Sequence, residues 1–298
     1  MKWYMALNES GTAGEIGLHT RLAILSAQKH TRLEPVMLYT GDRNDFTRWL
    51  ERRGVRVIDS EVPYADVIRR LAAEGRYWTA TLGHWLRTNV CLVEREDEHV
   101  LYTDVDVLFL GAPDLSLKPR YFAAAPEFDP NSWNYFNAGV MVANVSGLRE
   151  DYPAFERYMV ERIERETYGF HDQIAYNVYY QGKWDRLPLH MNWKPYWGTR
   201  SDTSILHFHG PKLHAILSIA TGTWNWDSDY GRQLGSLFAA NARHYCRAVK
   251  TLLSETLDLP AADAEWLGAL ATKLDSYDES ADRDRVDLSF TNFRMFPE

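Results

Sequence analysis

Cysteine is nearly missing from this chain: Cys91 and Cys246 are the two it has in 298 residues. They are too few and too far apart in sequence for a disulfide scaffold or a thiolate metal cluster, so a reducing compartment is expected. Long uncharged apolar runs are missing as well. No stretch reaches the length of a bilayer span, and the opening MKWYMALNES has no signal-like apolar core, so the expectation is a soluble cytoplasmic protein. There is no excess of positive charge. The 33 basic and 41 acidic residues give a net charge of -8, which excludes broad attraction to nucleic acid or anionic lipid but permits a local basic pocket. Internal repeats and Ser/Gly-rich linkers are absent. So is a basic, glycine-rich phosphate loop near the N-terminus, where NESGTAGEIG is acidic; that absence counts against nucleotidyl transfer.

What is present is a hydrophobic content of 45% over a length that buries a sizeable core. Lys2 to Leu7 predicts a first strand, and Leu18 to Lys29 has the spacing of an amphipathic helix. EPVMLYTG predicts a second strand stopped by Gly41, Asp45 to Arg53 a helix ended by Gly54, and VRVIDS a third strand. This alternation indicates an α/β sheet. TATLGHWLRTNVCLVE predicts a further helix, and His99 to Leu110 one buried strand. YFAAAPEF and FNAGVMVANV follow as strands, YPAFERYMVERIERE as an amphipathic helix, and TSILHFH as a short strand. Beyond Tyr230 the chain predicts helices to about Lys273, then a charged surface tail, DSYDESADRDRVDLSF. A division into 1–230 and a helical extension, 231–298, is expected.

The stretch HVLYTDVDVLFL places Asp104 and Asp106 at the end of the most hydrophobic run. In an extended strand residues two apart point to one side, so both carboxylates can face one point. Like charges there call for a counter-charge, because repulsion otherwise raises one pKa. A hard divalent cation, an Arg or Lys clamp, or acid/base chemistry would each answer; a simple strand cap is the bland alternative.

YTDVDV resembles the metal-binding Asp-x-Asp element of nucleotide-sugar-dependent glycosyltransferases with the GT-A fold, in particular the retaining family of glycogenin and the bacterial lipopolysaccharide galactosyltransferases. HWLRTNVCL, FNAGVMVANV, HDQIAYNVYYQGKWDRLPLHMNW and LHFHGPK resemble further segments of that family in the same order, from about Lys2 to Lys212. The resemblance implies a mostly parallel, mixed central sheet flanked by helices, and transfer of a hexosyl unit from a UDP-sugar to an acceptor hydroxyl with retention of configuration. It implies Mn²⁺ or Mg²⁺ held by Asp104, Asp106 and His207, with His209 a rival to His207. It also implies a donor site built from Ala6, Leu7, Asn8, Arg87, Tyr102, Asp104, Val105, Asn137, Ala138, Gly139, Asp172, Gly210 and Lys212. Within that set Lys212 would meet the diphosphate, Arg87 the donor sugar or phosphate, and Asp172 and Gln173 the sugar and its anomeric centre, Gln173 through its amide oxygen. The family's Pro-Trp after the lysine is Leu213-His214 here, its acidic pair near the first strand is replaced by NES, and the acid after Asp-Gln is Ile174.

Bland roles stand beside these: Arg87 as a solvent-facing helix charge and Asp172 as the cap of the helix QIAYNVYY. Trp193, Trp197 and Trp224 are candidates for an acceptor wall, with Asn192 and Asp202 near in sequence, although most tryptophans serve packing. A nucleotidyltransferase and a non-catalytic carbohydrate-binding relative are the competing classes.

Overall fold

The computed structural model describes residues 1–166, 169–278 and 280–292. The first half alternates as expected: β1 (Lys2–Asn8), α1 (Gly14–His30), β2 (Glu34–Thr40), α2 (Asp45–Arg52), β3 (Arg56–Asp59) and α3 (Ala65–Ala73). Local chemistry sets several boundaries. Asn44 caps α2 in a reciprocal box with Thr47, and Gly54, at φ 76°, turns the chain out of it.

From Thr79 to Val93 the expected single helix is instead a succession of 3-10 and α turns, among them α4 (Leu82–Trp85) and α5 (Val90–Val93). Thr81 and Thr88 donate their hydroxyls to carbonyls three residues back, at Trp78 and Trp85, which competes with regular helix. The 3-10 turn Leu86–Asn89 carries Arg87 inward.

Next come β4 (His99–Thr103), β5 (Val107–Phe109), β6 (Phe122–Pro126), β7 (Phe136–Asn144), α6 (Val145–Glu166), α7 (Asp172–Tyr179), β8 (Asp185–Arg186) and β9 (Ile205–His207). The chain then runs through α8 (Leu213–Ala220), α9 (Asp229–Ala240), α10 (Ala242–Ser254) and α11 (Ala261–Asp275). The main sheet has the order β3-β2-β1-β4-β7-β6-β8, and β5 and β9 form a second sheet of two strands. β1, β2, β3 and β4 are mutually parallel where they pair; β7 is antiparallel to both β4 and β6. The result is a mixed, mostly parallel sheet flanked by helices with a helical C-terminal extension.

Successive β1 side chains explain the two faces. Tyr4 joins a core with residues of α3, α6 and α7, while Trp3 and Met5 join one with α1 and α2. A third cluster sets Leu18 and Leu22 of α1, Leu108 and Leu206 against α8 to α11.

Two further expectations are revised. His99 to Leu110 is not one strand: β4 stops at Thr103, and the chain crosses into the two-stranded sheet as β5. The backbone N–H of Asp104 makes one last bond in the same register, to Gly139 O at 2.7 Å, before the chain departs. The charged tail also packs, as far as it lies within the described residues. Phe290 meets Phe128 edge-on at 5.6 Å, Tyr277 packs on Phe238, and Asp287 N donates to Ser236 Oγ. The aromatic residues scattered among its charges find apolar partners.

Candidate functional site

Side chains from five strand ends, four in the main sheet and β9 in the second, supply the expected site residues. β1 brings Ala6, Leu7 and Asn8, β4 ends beside Asp104, β6 ends beside Glu127, antiparallel β7 starts there with Asn137, and β9 delivers His207. Ligand sites of open α/β sheets lie beyond such strand ends. A cavity of about 450 Å³ opens there, lined by Ala6, Leu7, Asn8, Arg87, Tyr102 and Asp104 among the expected donor residues. Val105, Asp106, Asn137, Asp172, Gln173 and Lys212 line it too. Ala138, Gly139, His207 and Gly210, also expected at the site, are not among the lining residues.

The register of β6 against β7 shifts between Ala124, opposite Met141, and Ala125, opposite Asn137. That irregularity releases Ala138, Gly139 and Val140 from β6, as bulges beside sites do. Ala138 then accepts from Arg87 Nη1 at 2.5 Å and donates its N–H to Gln173 Oε1 at 2.8 Å. Gly139 has a steric reason to be glycine: a Cβ there would lie 2.3 Å from His207 Cε1 and 2.9 Å from Asp104 Oδ2.

The carboxylates are neutralised by a basic clamp. Arg87, 8% exposed, bonds Asp104 Oδ1 at 2.9 Å, forms an ion pair with Asp172, and lies over the Tyr102 ring at 5.0 Å. It is not a solvent-facing helix charge. Asp172 does not cap α7 either; the cap position is His171, and Asp172 opens the helix with its carboxylate turned to Arg87. Burial would raise the Asp172 pKa, but Arg87 outweighs it and holds the group well below the usual carboxylate range.

Asp106 pairs with the Lys212 ammonium, which also donates to Phe208 O at 3.0 Å. Burial opposes its charge, yet the Lys212 ammonium outweighs it and holds the Asp106 carboxyl well below its ordinary value. One point of Asp106 is left over: Oδ1 is buried without a hydrogen bond, 3.3 Å from His207 Nε2. Ligand atoms of Asp104, Asp106 and His207 all lie within 4.8 Å of one another. Two carboxylates and an imidazole around an orphaned oxygen fit a divalent cation, and this donor set suits Mn²⁺ or Mg²⁺.

His209 is not in that group. Its Nε2 pairs with Glu127 Oε1 at 2.9 Å and its Nδ1 meets Tyr196 OH at 2.7 Å. Glu127 carries no motif in the sequence, but it follows β6 directly, and an acid just past a strand end was a readable signal. Burial opposes its charge; His209 and Lys194 pull its pKa down to about 2. Its Oε2 is buried without a hydrogen bond, on the cavity wall. His84 and His171 also line the cavity, and the sequence assigned neither a role.

Two expected contacts are spent within the protein. Gln173 Oε1 accepts from both Ala138 N and Asn137 Nδ2, so the amide oxygen assigned to a positive sugar centre already has its two bonds. Asn8 Oδ1 caps the 3-10 turn Glu9–Thr12, accepting from Gly11 N at 3.0 Å. The tryptophans are elsewhere. Trp193, Trp197 and Trp224 do not line the cavity, and their indole N–H groups donate to the carbonyls of Gly198, Phe128 and Gly231.

No protein-family model and no curated protein matches the chain. Solved structures do. Galactosyltransferase LgtC in complex with donor and acceptor sugar analogues aligns with a TM-score of 0.55 at 17% identity, over 96% of this chain and 100% of that one. An active-site mutant of LgtC aligns at 0.54 and 16% identity, over 80% and 96%. Glycosyltransferase GlyE of Streptococcus pneumoniae aligns at 0.52 and 16% identity, over 71% of this chain and 56% of GlyE. The chain shares with these proteins a GT-A-like architecture.

Proposed function

We propose that the protein is a metal-dependent glycosyltransferase that moves a hexosyl unit from a UDP-sugar to the hydroxyl of a saccharide or similar acceptor, with retention of configuration. The observation that carries this is the Asp104, Asp106 and His207 cluster at the cavity floor, with Lys212 and Arg87 beside it, on a GT-A-like sheet. UDP and retention are supported by the resemblance of the ordered sequence segments.

Asp104, Asp106 and His207 would hold Mn²⁺ or Mg²⁺, which when bound supplies a Lewis acid for the leaving diphosphate. Lys212 contributes a positive contact to the same charge as it develops. Arg87 holds the buried Asp172 ionised and fixes the Asp104 carboxylate on the cavity wall. Gln173, with its oxygen engaged and its Nε2 near Tyr135 OH at 3.5 Å, would offer the sugar its remaining amide hydrogen, a role that needs no covalent intermediate. Glu127 Oε2 offers an acceptor hydroxyl a partner, and the departing phosphate takes its proton. Residues 1–230 form the catalytic unit on this reading, backed by 231–298. None of the described helices is long and apolar enough to cross a membrane. The reading includes a cytoplasmic setting, in keeping with the free thiols of Cys91 and Cys246.

The test is a panel of nucleotide sugars incubated with Mn²⁺, with and without EDTA, following nucleotide release. UDP release that stops with EDTA is the expected result. Release indifferent to EDTA, or pyrophosphate released from nucleoside triphosphates instead, would overturn the reading. Gly139→Ala is expected to push His207 and Asp104 apart and weaken Mn²⁺ binding by about 10–100-fold, the range for disturbed support of ligands. Calorimetric titration of Mn²⁺ into the folded variant checks it.

A further inference from the structure

Two backbone amides fix the polarity of a hydrogen-bond chain that ends at the metal-ligand cluster. Gly139 N donates to Asn137 Oδ1 at 3.1 Å, and a backbone N–H can do nothing else. Asn192 approaches the same oxygen at 3.1 Å, so it must offer its Nδ2. That orientation turns Asn192 Oδ1 toward His207, 2.9 Å from Nδ1, so Nδ1 must carry the hydrogen.

A second anchor gives the same answer. Ala138 N donates to Gln173 Oε1 at 2.8 Å, which makes that atom the oxygen, and it therefore takes Nδ2 of Asn137 at 3.2 Å. The amide of Asn137 cannot flip without breaking both anchors. Asn192 and His207 are 0% and 1% exposed and neither lines the cavity, so water is not at hand to replace the bond between them. With the ring neutral and Nδ1 protonated, the lone pair sits on Nε2, facing Asp106 Oδ1 at 3.3 Å.

We propose that Asn192, oriented by Asn137, is a positioning residue that holds His207 in the tautomer whose Nε2 can accept a divalent cation. The proposal rests on the reading of the cluster as a cation site. Asn192 thereby acquires a task inside the protein, in place of a hydroxyl contact at an acceptor wall. Outer partners of this kind orient ligating histidines and fix which nitrogen binds.

The first measurement is ¹⁵N NMR of the histidine-labelled wild-type protein without metal, which reads the tautomer directly and requires no variant. A protonated Nδ1 and bare Nε2 at His207 are expected; the reverse overturns the proposal. The second is titration with Mn²⁺ alone, counting free Mn²⁺ by electron paramagnetic resonance. Asn192→Leu removes the acceptor and is expected to weaken binding by about 10–100-fold. Asn192→Asp keeps an oxygen opposite Nδ1 but sets another against Asn137 Oδ1, so it should fall between Leu and wild type. Wild-type affinity in the folded Leu variant, or equal losses in both, would overturn the proposal. If the wild type binds no Mn²⁺, the functional reading fails and this proposal with it; if Mn²⁺ binds and the tautomer is reversed, this proposal alone fails.

Discussion

Asp106→Asn is expected to remove Mn²⁺ binding and to lower donor turnover by at least about 10²-fold, the scale of losing one preorganised electrostatic contact to a developing charge. Asp106 is 6% exposed and joins two groups: its Oδ2 pairs with the Lys212 ammonium, and its orphaned Oδ1 faces the His207 ring. An amide retains the shape and loses the charge. Asp104 does not compensate, because Arg87 already holds its Oδ1. The fold should survive. The lysine left without its partner has a side chain 27% exposed and can turn toward solvent, unlike a fully enclosed ion. Calorimetry with Mn²⁺ and the nucleotide-release assay, normalised to folded protein by circular dichroism, measure the two losses together. Undiminished, EDTA-insensitive turnover would make the cluster an ion-pair clamp and nothing more.

Arg87→Met should be the costliest single change for stability, by about 3–5 kcal/mol at neutral pH, because it strands the buried Asp172 carboxylate and takes the partner from Asp104 beside it. Arg87 serves Asp104, Asp172 and the Ala138 carbonyl at once. The effect has a pH signature. In the wild type Arg87 depresses the folded-state pKa of Asp172 below its ordinary 3.8. The stabilisation is therefore present above that pH and fades as acid protonates the carboxylate. Denaturant unfolding should show the largest gap between wild type and variant near pH 7 and a shrinking one below about pH 4. A gap that stays constant into acid would mean that lost packing, not stranded charge, is responsible. Arg87→Lys is not expected to rescue: an ammonium cannot span three acceptors in the fork geometry of a guanidinium.

Much of the frame was readable because burial writes itself into the sequence. The parallel strands β1 and β2 are short apolar runs followed by turn residues, and Asn44 and Gly54 mark both ends of α2. Asp104, Asp106, His207 and Lys212 were nameable from their segments, and the structure sets them around one point. The geometry that unites them was not. Alternation along a continuous strand suggested it, whereas the chain leaves one sheet for another between Thr103 and Val107. A periodic pattern cannot reveal such a crossing, since β4 and β5 are equally buried. Asn137, Asn192 and Gln173 looked like sugar contacts because amides suit hydroxyls; that they bond one another first is a property of three segments meeting. The terminal stretch misled through composition, its charges outnumbering the few aromatics that dock it.

The pairing of β5 with β9 has a consequence for the order of events in folding. Val107 meets His207, and Lys212 reaches back to Asp106 across 106 residues of chain. A contact between segments so far apart in sequence is expected to form late, after the local helices and the adjacent parallel strands. No collapsed species lacking the second sheet holds all three cation ligands in reach. Recovery of Mn²⁺ affinity during refolding should then follow the slowest phase, well behind the return of helical signal, so the cation reports only on finished chains.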